Sequence, residues 1–220
     1  MKILFVLLSL MFVTAQLPFG PSAPEKPEEE PSPVKGWRIV KYFAVPPTQY
    51  STAGKDIIKA ESVGSRASLY KSVGEKMRTY SVLSWKWRVS NVVRSAIETR
   101  KDRFDVAARV MVVFGREEGF SLFGKGEPQG PKIEYIWASH LPKGHHIDHP
   151  GEKNCKVFAL ESGDGRAGQW IHETRNLKKD FQTAFGREFP GVFAIGIETD
   201  TDQSNEMVTA YYSEPVLKKN

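Results

Sequence analysis

In Leu83-Ser84-Trp85-Lys86-Trp87-Arg88-Val89 every odd position is apolar and every even position polar. Successive side chains of a strand point to opposite faces, so this run specifies a β-strand with one buried and one polar face. The two tryptophans share the buried face with Leu83 and Val89 and anchor a core, since each hides roughly 150–250 Å² when buried. Phe104–Phe114 (FDVAARVMVVF) repeats the pattern: Val106, Ala108, Val110, Val112 and Phe114 share a face, and Arg109 interrupts the other. Further strands are predicted over Trp37–Phe43, Asp56–Glu61, Ala67–Ser72, Lys132–Ser139, Lys156–Ser162, Trp170–Arg175, Val192–Thr199 and Met207–Leu217. These runs are short, rich in β-branched and aromatic residues, and separated by Gly, Pro, Asp and Ser clusters. So many strands with so little helix predict an all-β fold, a two-sheet antiparallel β-sandwich.

One short helix is expected near residues 176–186. Asn176 can cap its start, Leu177, Phe181, Ala184 and Phe185 recur at helical spacing, and Gly186 ends it. The segment Asn91–Arg103 reads as a polar connection.

The first residues form an export signal, residues 1–15. Lys2 supplies the positive charge, Ile3–Val13 is apolar apart from Ser9, and Val13-Thr14-Ala15 offers small residues for cleavage. The apolar run is too short to span a bilayer stably, no cysteine follows it to accept a lipid, and no later stretch is long and apolar enough to cross. Residues 16–35 hold six of the chain's 14 prolines beside Glu25, Glu28, Glu29 and Glu30, a composition that favours an extended tether over a core. Residues 36–220 are of a size usual for one β-sandwich domain. With Lys2 removed the net charge falls from +5 to +4, too modest to predict a nucleic-acid partner. The single cysteine, Cys155, excludes an internal disulfide.

The order of motifs carries a resemblance. LSWKWRV (Leu83–Val89) precedes RFDVAARVMVVF (Arg103–Phe114) and IEYIWAS (Ile133–Ser139). GQWIHETRNLKKDFQTAFG (Gly168–Gly186) and FAIGIETDTDQSNEMVTAYY (Phe193–Tyr212) follow. Over nearly all of Gly36–Leu217 this resembles a bacterial exported family, domain-of-unknown-function family 3047. The resemblance implies an exported, jelly-roll-like β-sandwich and no established activity. Members often show two adjacent acids where this chain has Phe104-Asp105, which leaves Asp105 to fill any role of that pair.

Charged residues inside strands are the main functional signal. Lys86 and Arg88 share a face, Arg109 interrupts another strand, Glu173 and Arg175 share a face in a third, and Glu198 and Asp200 share one in a fourth. Such groups either pair with one another or line a wet concave surface. Guanidinium groups and carboxylates on a concave sheet suit sugar hydroxyls or sugar acids. Candidate ligand-binding residues are therefore Arg88, Asp105, Arg109, Trp137, Glu173 and Arg175, with Trp137, Trp170 or Tyr211 as aromatic platforms.

Alternating oxygens in Asp200-Thr201-Asp202-Gln203-Ser204-Asn205 make Asp200 and Asp202 candidate calcium ligands, with Glu61 or Asp164 as recruits; the same pattern also makes a self-bonded turn. His140, His145, His146 and His149, with Asp148 among them, match no closed zinc spacing and read as a Gly/Pro loop.

No nucleophile elbow, phosphate loop or dinucleotide fingerprint is present. Glu173 and Glu198 are candidate catalytic carboxylates if their strands are neighbours. The leading expectation is an exported, periplasmic or secreted, non-catalytic protein binding a carbohydrate or envelope polymer. The alternatives are a polysaccharide-cleaving hydrolase or lyase and an envelope assembly protein.

Overall fold

The computed structural model describes residues 32–115 and 126–220. The predicted signal at 1–15 and most of the predicted tether at 16–35 lie outside the described residues. Val34, near the end of that tether, is buried with Trp37, whose backbone N–H donates to its carbonyl.

Thirteen strands and one α-helix follow in order among the described residues. They are β1 (Arg38–Lys41), β2 (Gln49–Thr52), β3 (Ile57–Val63), β4 (Arg66–Ser72), β5 (Val82–Val89), β6 (Val106–Phe114) and β7 (Lys132–Ala138). Then come β8 (His146–Asp148), β9 (Cys155–Ser162), β10 (Ile171–Asn176), α1 (Leu177–Phe185), β11 (Val192–Asp200), β12 (Met207–Ser213) and β13 (Val216–Lys218). A seven-stranded sheet runs β1-β4-β11-β6-β7-β9-β8, and a six-stranded sheet contains β10-β5-β12-β3-β2, with β13 paired beside β12 on β5. This is the two-sheet β-sandwich that the alternation predicts, in the jelly-roll-like form that the resemblance implies. Among the described pairs, β7 and β9 alone run parallel. Their crossover places β8 antiparallel outside β9, at the sheet edge.

Three boundaries differ from the sequence reading. The run Met207–Leu217 is two strands, because Pro215 lacks the N–H that a continuous ladder needs. The histidine loop contains a strand, β8. Asn91–Arg103 is less polar in its packing than its composition suggests: Val92, Val93 and Ala96 are buried, and the Glu98 carboxylate accepts the backbone N–H groups of Ser139, His140 and Leu141.

The core lies between the sheets. Leu83, Trp85, Trp87 and Val89 of β5 meet Val110, Val112 and Phe114 of β6 and Ile133, Tyr135 and Trp137 of β7. Trp85 and Trp87 pack edge-on at 5.4 Å, Trp85 lies 5.6 Å from Tyr135, and Trp87 lies 6.0 Å from Trp137. Helix α1 closes one end as expected: Asn176 Oδ1 accepts the Lys179 N–H at 3.1 Å, and Gly186 takes a left-handed φ of 66°. Tyr135 donates to Asp180 at 2.7 Å, which ties the helix to the sheet.

The central strands β6, β7 and β11 are buried along their whole length, so their outer face is covered too. Two small apolar clusters lie on that face. One is Val40, Tyr70, Met111, Val113, Phe193 and Ala194; the other is Phe104, Val106, Ile136, Ala138, Val157 and Ala159. Gly196 of β11 sits opposite Tyr70 on one neighbouring strand and Met111 on the other. A Cβ there would come within 2.6 Å of Tyr70 Cε1 and 2.8 Å of Met111 Cε, so its absence lets those side chains meet over the strand. We therefore expect Gly196→Ala to destabilise the fold by about 1–3 kcal/mol, the usual cost of overpacking, read as a lower denaturation midpoint.

Candidate functional site

Period-two alternation places Arg109 on the outer face of β6, Glu134 on the outer face of β7 and Glu198 on that of β11. Register puts Arg109 directly beside Glu198 and Ile136. A ladder shift between Glu198 and Asp200 brings Asp200 to the same group. The Arg109 side chain is 1% exposed, and its three nitrogens divide among three acids. Nη1 donates to Glu134 at 3.0 Å, Nη2 donates to Asp200 at 3.1 Å, and Nε lies 3.2 Å from Glu198. Phe104 covers its planar face with the ring centre 5.1 Å away. Arg66 of β4 approaches Glu198 at 3.4 Å and Asp200 at 3.5 Å.

A second tier lies above this floor. The Tyr42 hydroxyl, just after β1, donates to Glu127 and lies 3.1 Å from Glu198 and 2.7 Å from the Ser68 hydroxyl, while its ring carries the Arg66 guanidinium at 4.1 Å. Lys132 Nζ donates to Glu127 at 2.6 Å and to Glu152 at 3.0 Å. The groups open into a cleft of about 470 Å³, bordered by Tyr42, Arg66, Lys101, Phe104, Glu127, Gln129, His149, Gly151, Glu152 and Gln203.

Burial opposes every charge here, and the partners decide the outcome. Burial raises Glu127, but the Lys132 ammonium, its hydrogen bond, Tyr42 and Arg66 outweigh it and hold the carboxyl down to about 2. Burial also raises Glu198, while Arg66 and Arg109 bring it below its ordinary value. Asp200 goes the other way: burial, then the Glu198 charge, keep it well above the usual carboxylate range despite both arginines. Burial raises Glu152, with Lys132 opposing. Burial lowers His149, and Arg109 and Lys132 add to the effect against the pull of Glu134.

The predicted site residues fall into three separate places. Arg109, Glu198, Asp200, Asp105 and Asp202 gather at this cluster. Glu173 and Arg175 project from β10 into the edge of the space between the sheets, opposite Trp85 and Leu83. There Arg175 forks onto Asp180 at 2.6 and 2.9 Å, and burial, then Glu161, push Glu173 up to about 7. Glu173 and Glu198 therefore stand on different sheets; their strands are not neighbours, and they do not form an acid–base pair. Arg88 lies on the outer face of the other sheet, over Tyr211 at 4.2 Å and Trp170 at 5.3 Å. Trp137 is no platform: it is fully buried in the core and its Nε1–H donates to the Gly163 carbonyl at 3.1 Å. Neighbouring strands reverse neither face nor sheet, so charges that alternate alike in sequence end on three surfaces.

The predicted calcium ligands Asp200 and Asp202 meet Asp105, not Glu61 or Asp164, with one oxygen of each within 4.8 Å of the others. The Asp105 and Asp200 oxygens hold the turn together, whereas Asp202 Oδ1 is buried with no hydrogen-bond partner among the described residues. Asp105 accepts from the backbone N–H groups of Gln203 and Ser204 at 3.3 and 2.7 Å, and Asp200 accepts from that of Asp202 at 3.2 Å. Arg109 brings Asp200 the positive charge that a cation would bring. Glu134, His149 and Glu152 form a comparable group. His149 Nδ1 accepts the Gly151 N–H at 3.0 Å, which fits the tautomer protonated on Nε2, the nitrogen facing Glu134. A metal there would have to displace that proton. His140, His145 and His146 are exposed and stay apart from this group.

Sequence reasoning missed Tyr42, Arg66, Glu127, Lys132, Glu134 and Glu152. For Lys132 and Glu134 a signal existed, since they alternate with Ile133, Tyr135 and Trp137 as Arg109 does in its own strand. Glu127 and Glu152 lie on connections, where no periodicity marks them, and Tyr42, inside the predicted strand Trp37–Phe43, falls just beyond the end of β1.

Two outcomes are expected from substitution. Arg109→Leu leaves three buried acids without their shared partner and should cost about 3–5 kcal/mol in urea denaturation. Lys156→Met, which removes a partner from the exposed Asp148, should cost no more than about 1 kcal/mol. Glu173 supplies a pH test. Its folded-state value near 7 exceeds the ordinary 4.5, so its contribution is complete below 4.5 and lost as pH rises through 7. Glu173→Gln should therefore raise the melting temperature relative to the parent at pH 8 and change it little at pH 4.5.

Comparison with known proteins follows from this geometry. The chain is similar in fold to the K1 cleaved adhesin domain of Lys-gingipain from Porphyromonas gingivalis W83. That match has a TM-score of 0.41 and 12% identity, over 85% of this chain and 92% of that one. It is also similar to the xyloglucanase domain of NopAA, a type three effector from Sinorhizobium fredii in complex with cellobiose (TM-score 0.45, 9% identity, 84% and 93% covered). Endoglucanase 3 of Trichoderma harzianum, from family GH12, gives a TM-score of 0.34 at 8% identity, with 84% and 99% covered. Comparison with curated proteins gives no match. The sequence itself is decisive on family: residues 35–216 match the family described as protein of unknown function (DUF3047), and the chain belongs to it.

Proposed function

We propose that this is an exported protein that binds a carbohydrate-containing polymer in the cleft on the outer face of the seven-stranded sheet. The observation that carries the reading is the rigid, ion-paired floor beneath an open cleft. Arg66, Tyr42, Glu127, Glu152, Gln129 and Gln203 present charged and neutral donors and acceptors side by side at its border. Sugar hydroxyls both donate and accept, and a fixed mixture of guanidinium, carboxylate, amide and phenol groups matches them better than a surface of one sign. The cleft falls within the volume range of ligand pockets. The ring of Phe104 and the Tyr42–Arg66 stack give it apolar edges against which the faces of a sugar can lie. Export is supported by Lys2, the apolar run Ile3–Val13 and the small residues before Gln16.

A second reading, cleavage of the polymer, is favoured by one observation. Glu127 and Glu152 both contact Lys132 at the cleft, which brings two carboxylates together as glycoside hydrolysis requires.

Retention of the purified protein on a panel of polysaccharides and cell-wall fragments tests the reading. At least one polymer should retain it, and Arg66→Ala should weaken that retention by about tenfold or more. Passage of the protein through every matrix unretained would overturn the proposal. Release of new reducing ends from a retained polymer would move the assignment to the second reading.

A further inference from the structure

The donors around Glu127 form a receptor of their own. Its Oε1 accepts from Tyr42 and faces Arg66 Nη2 at 3.9 Å. Its Oε2 accepts from Tyr70 at 3.1 Å and from Lys132 at 2.6 Å. Each carboxylate oxygen thus has two partners. All four are built into or beside the seven-stranded sheet: Arg66 and Tyr70 on β4, Lys132 on β7, Tyr42 at the end of β1. Each has further anchors, since Tyr42 bonds Ser68, Arg66 pairs with Glu198 and Asp200, Tyr70 meets Met111, and Lys132 meets Glu152.

Glu127 is different. It belongs to the connection into β7, and the main chain there is held by side chains: Arg38 donates to the Gly126 carbonyl at 2.8 Å, and the Gln129 side chain donates to the Glu127 carbonyl at 3.0 Å. Its side chain is 19% exposed at the cleft, whereas Lys132 beneath it is 2% exposed. The sheet therefore supplies a fixed set of donors, and a loop supplies the anion.

We infer that Tyr42, Arg66, Tyr70 and Lys132 constitute a carboxylate subsite that the chain's own Glu127 fills, and that the ligand exchanged for it is a uronate unit of an acidic polysaccharide. The inference rests on the carbohydrate-binding reading of the same cleft and names its substrate class. A buried ammonium and a guanidinium need an anion beside them, and a uronate brings the same planar group as Glu127, so the exchange replaces one charge-assisted set by its equivalent. The two-by-two arrangement suits a planar carboxylate rather than a tetrahedral phosphate or sulfate, whose third oxygen has no donor here. The sugar ring carrying the carboxylate would lie in the cleft against Glu152, Gln129 and His149. Occupation by Glu127 lowers the apparent affinity by the fraction of time the receptor is free.

Isothermal titration with oligogalacturonate and with a neutral cello-oligosaccharide of equal length tests this on the full chain. In Glu127→Ala the ratio of affinities, acidic over neutral, should rise by about tenfold relative to the parent. Adding Lys132→Met should abolish the rise. Glu127→Gln, which keeps the side-chain size, should show the same direction and serves where the alanine variant does not fold. A ratio that is unchanged or falls in both variants overturns the uronate subsite, while binding of the neutral oligomer leaves the carbohydrate reading standing. Acetate competing as well as the oligogalacturonate, at equal carboxylate concentration, would reduce the subsite to a bare anion site and overturn the sugar assignment. Failure of either oligomer to bind parent or variants, together with no retention on any polymer, overturns both readings at once.

Discussion

The guanidinium of Arg109 is the interaction on which the outer face of the large sheet depends. It sits on β6 and bonds or pairs with acids on β7 and β11, so one side chain joins the three central strands beyond their backbone ladders. Burial opposes its charge, and three carboxylates reverse that cost. The acids depend equally on the arginine. Glu198 remains ionised through Arg66 and Arg109, while Asp200 beside it is driven toward its neutral form.

From that floor the cleft follows by geometry. Gly196 leaves room for Tyr70 to lie across β11 beside Met111, and Ser68, beside the Tyr42 hydroxyl, donates to Glu198. Each layer orients the one above it. The acids of the upper layer, Glu127 and Glu152, come from connections, where shape can vary without disturbing the ladder, while Arg66 and Lys132 come from strands.

Much of the fold was legible because apolar alternation is strong in the strands that build the core. Leu83–Val89 and Ala108–Phe114 each announce a face, though an irregularity in β6 turns Val106 to the outer face against the predicted alternation, and Asn176 with Gly186 announce the helix ends. The strands that escaped notice are weak for physical reasons. In β2 three of four residues are exposed, and β8 is a three-residue edge strand inside a histidine-rich loop. The site was legible only in part. Arg109, Glu198 and Asp200 stand out as charges interrupting apolar strands, but alternation says only that a residue faces away from its neighbours. It does not say which sheet the strand joins, so Arg88, Glu173 and Arg109 look equivalent in sequence and occupy three different surfaces. Partners on connections are harder still. Tyr42 reaches Glu127 across 85 positions and Glu198 across 156.

A buried polar network is a poor way to stabilise a sheet. Val, Ile or Leu in the places of Arg109, Glu134 and Glu198 would cover the same face, and such replacements of ionic groups are often neutral or stabilising. The two apolar clusters that flank the network show that this face can be built from hydrocarbon where nothing else is required of it. Charges are confined to the strip that opens into the cleft, and the donors nearest the opening converge on a single carboxylate. A purely structural network would need no opening, and it would draw its anions from the rigid sheet as readily as its cations. Here the outermost anion comes from a loop, while Arg66, Tyr70 and Lys132 among its donors come from strands. That division of labour is the arrangement the proposed uronate subsite calls for: donors held by the sheet, and an anion carried on a connection.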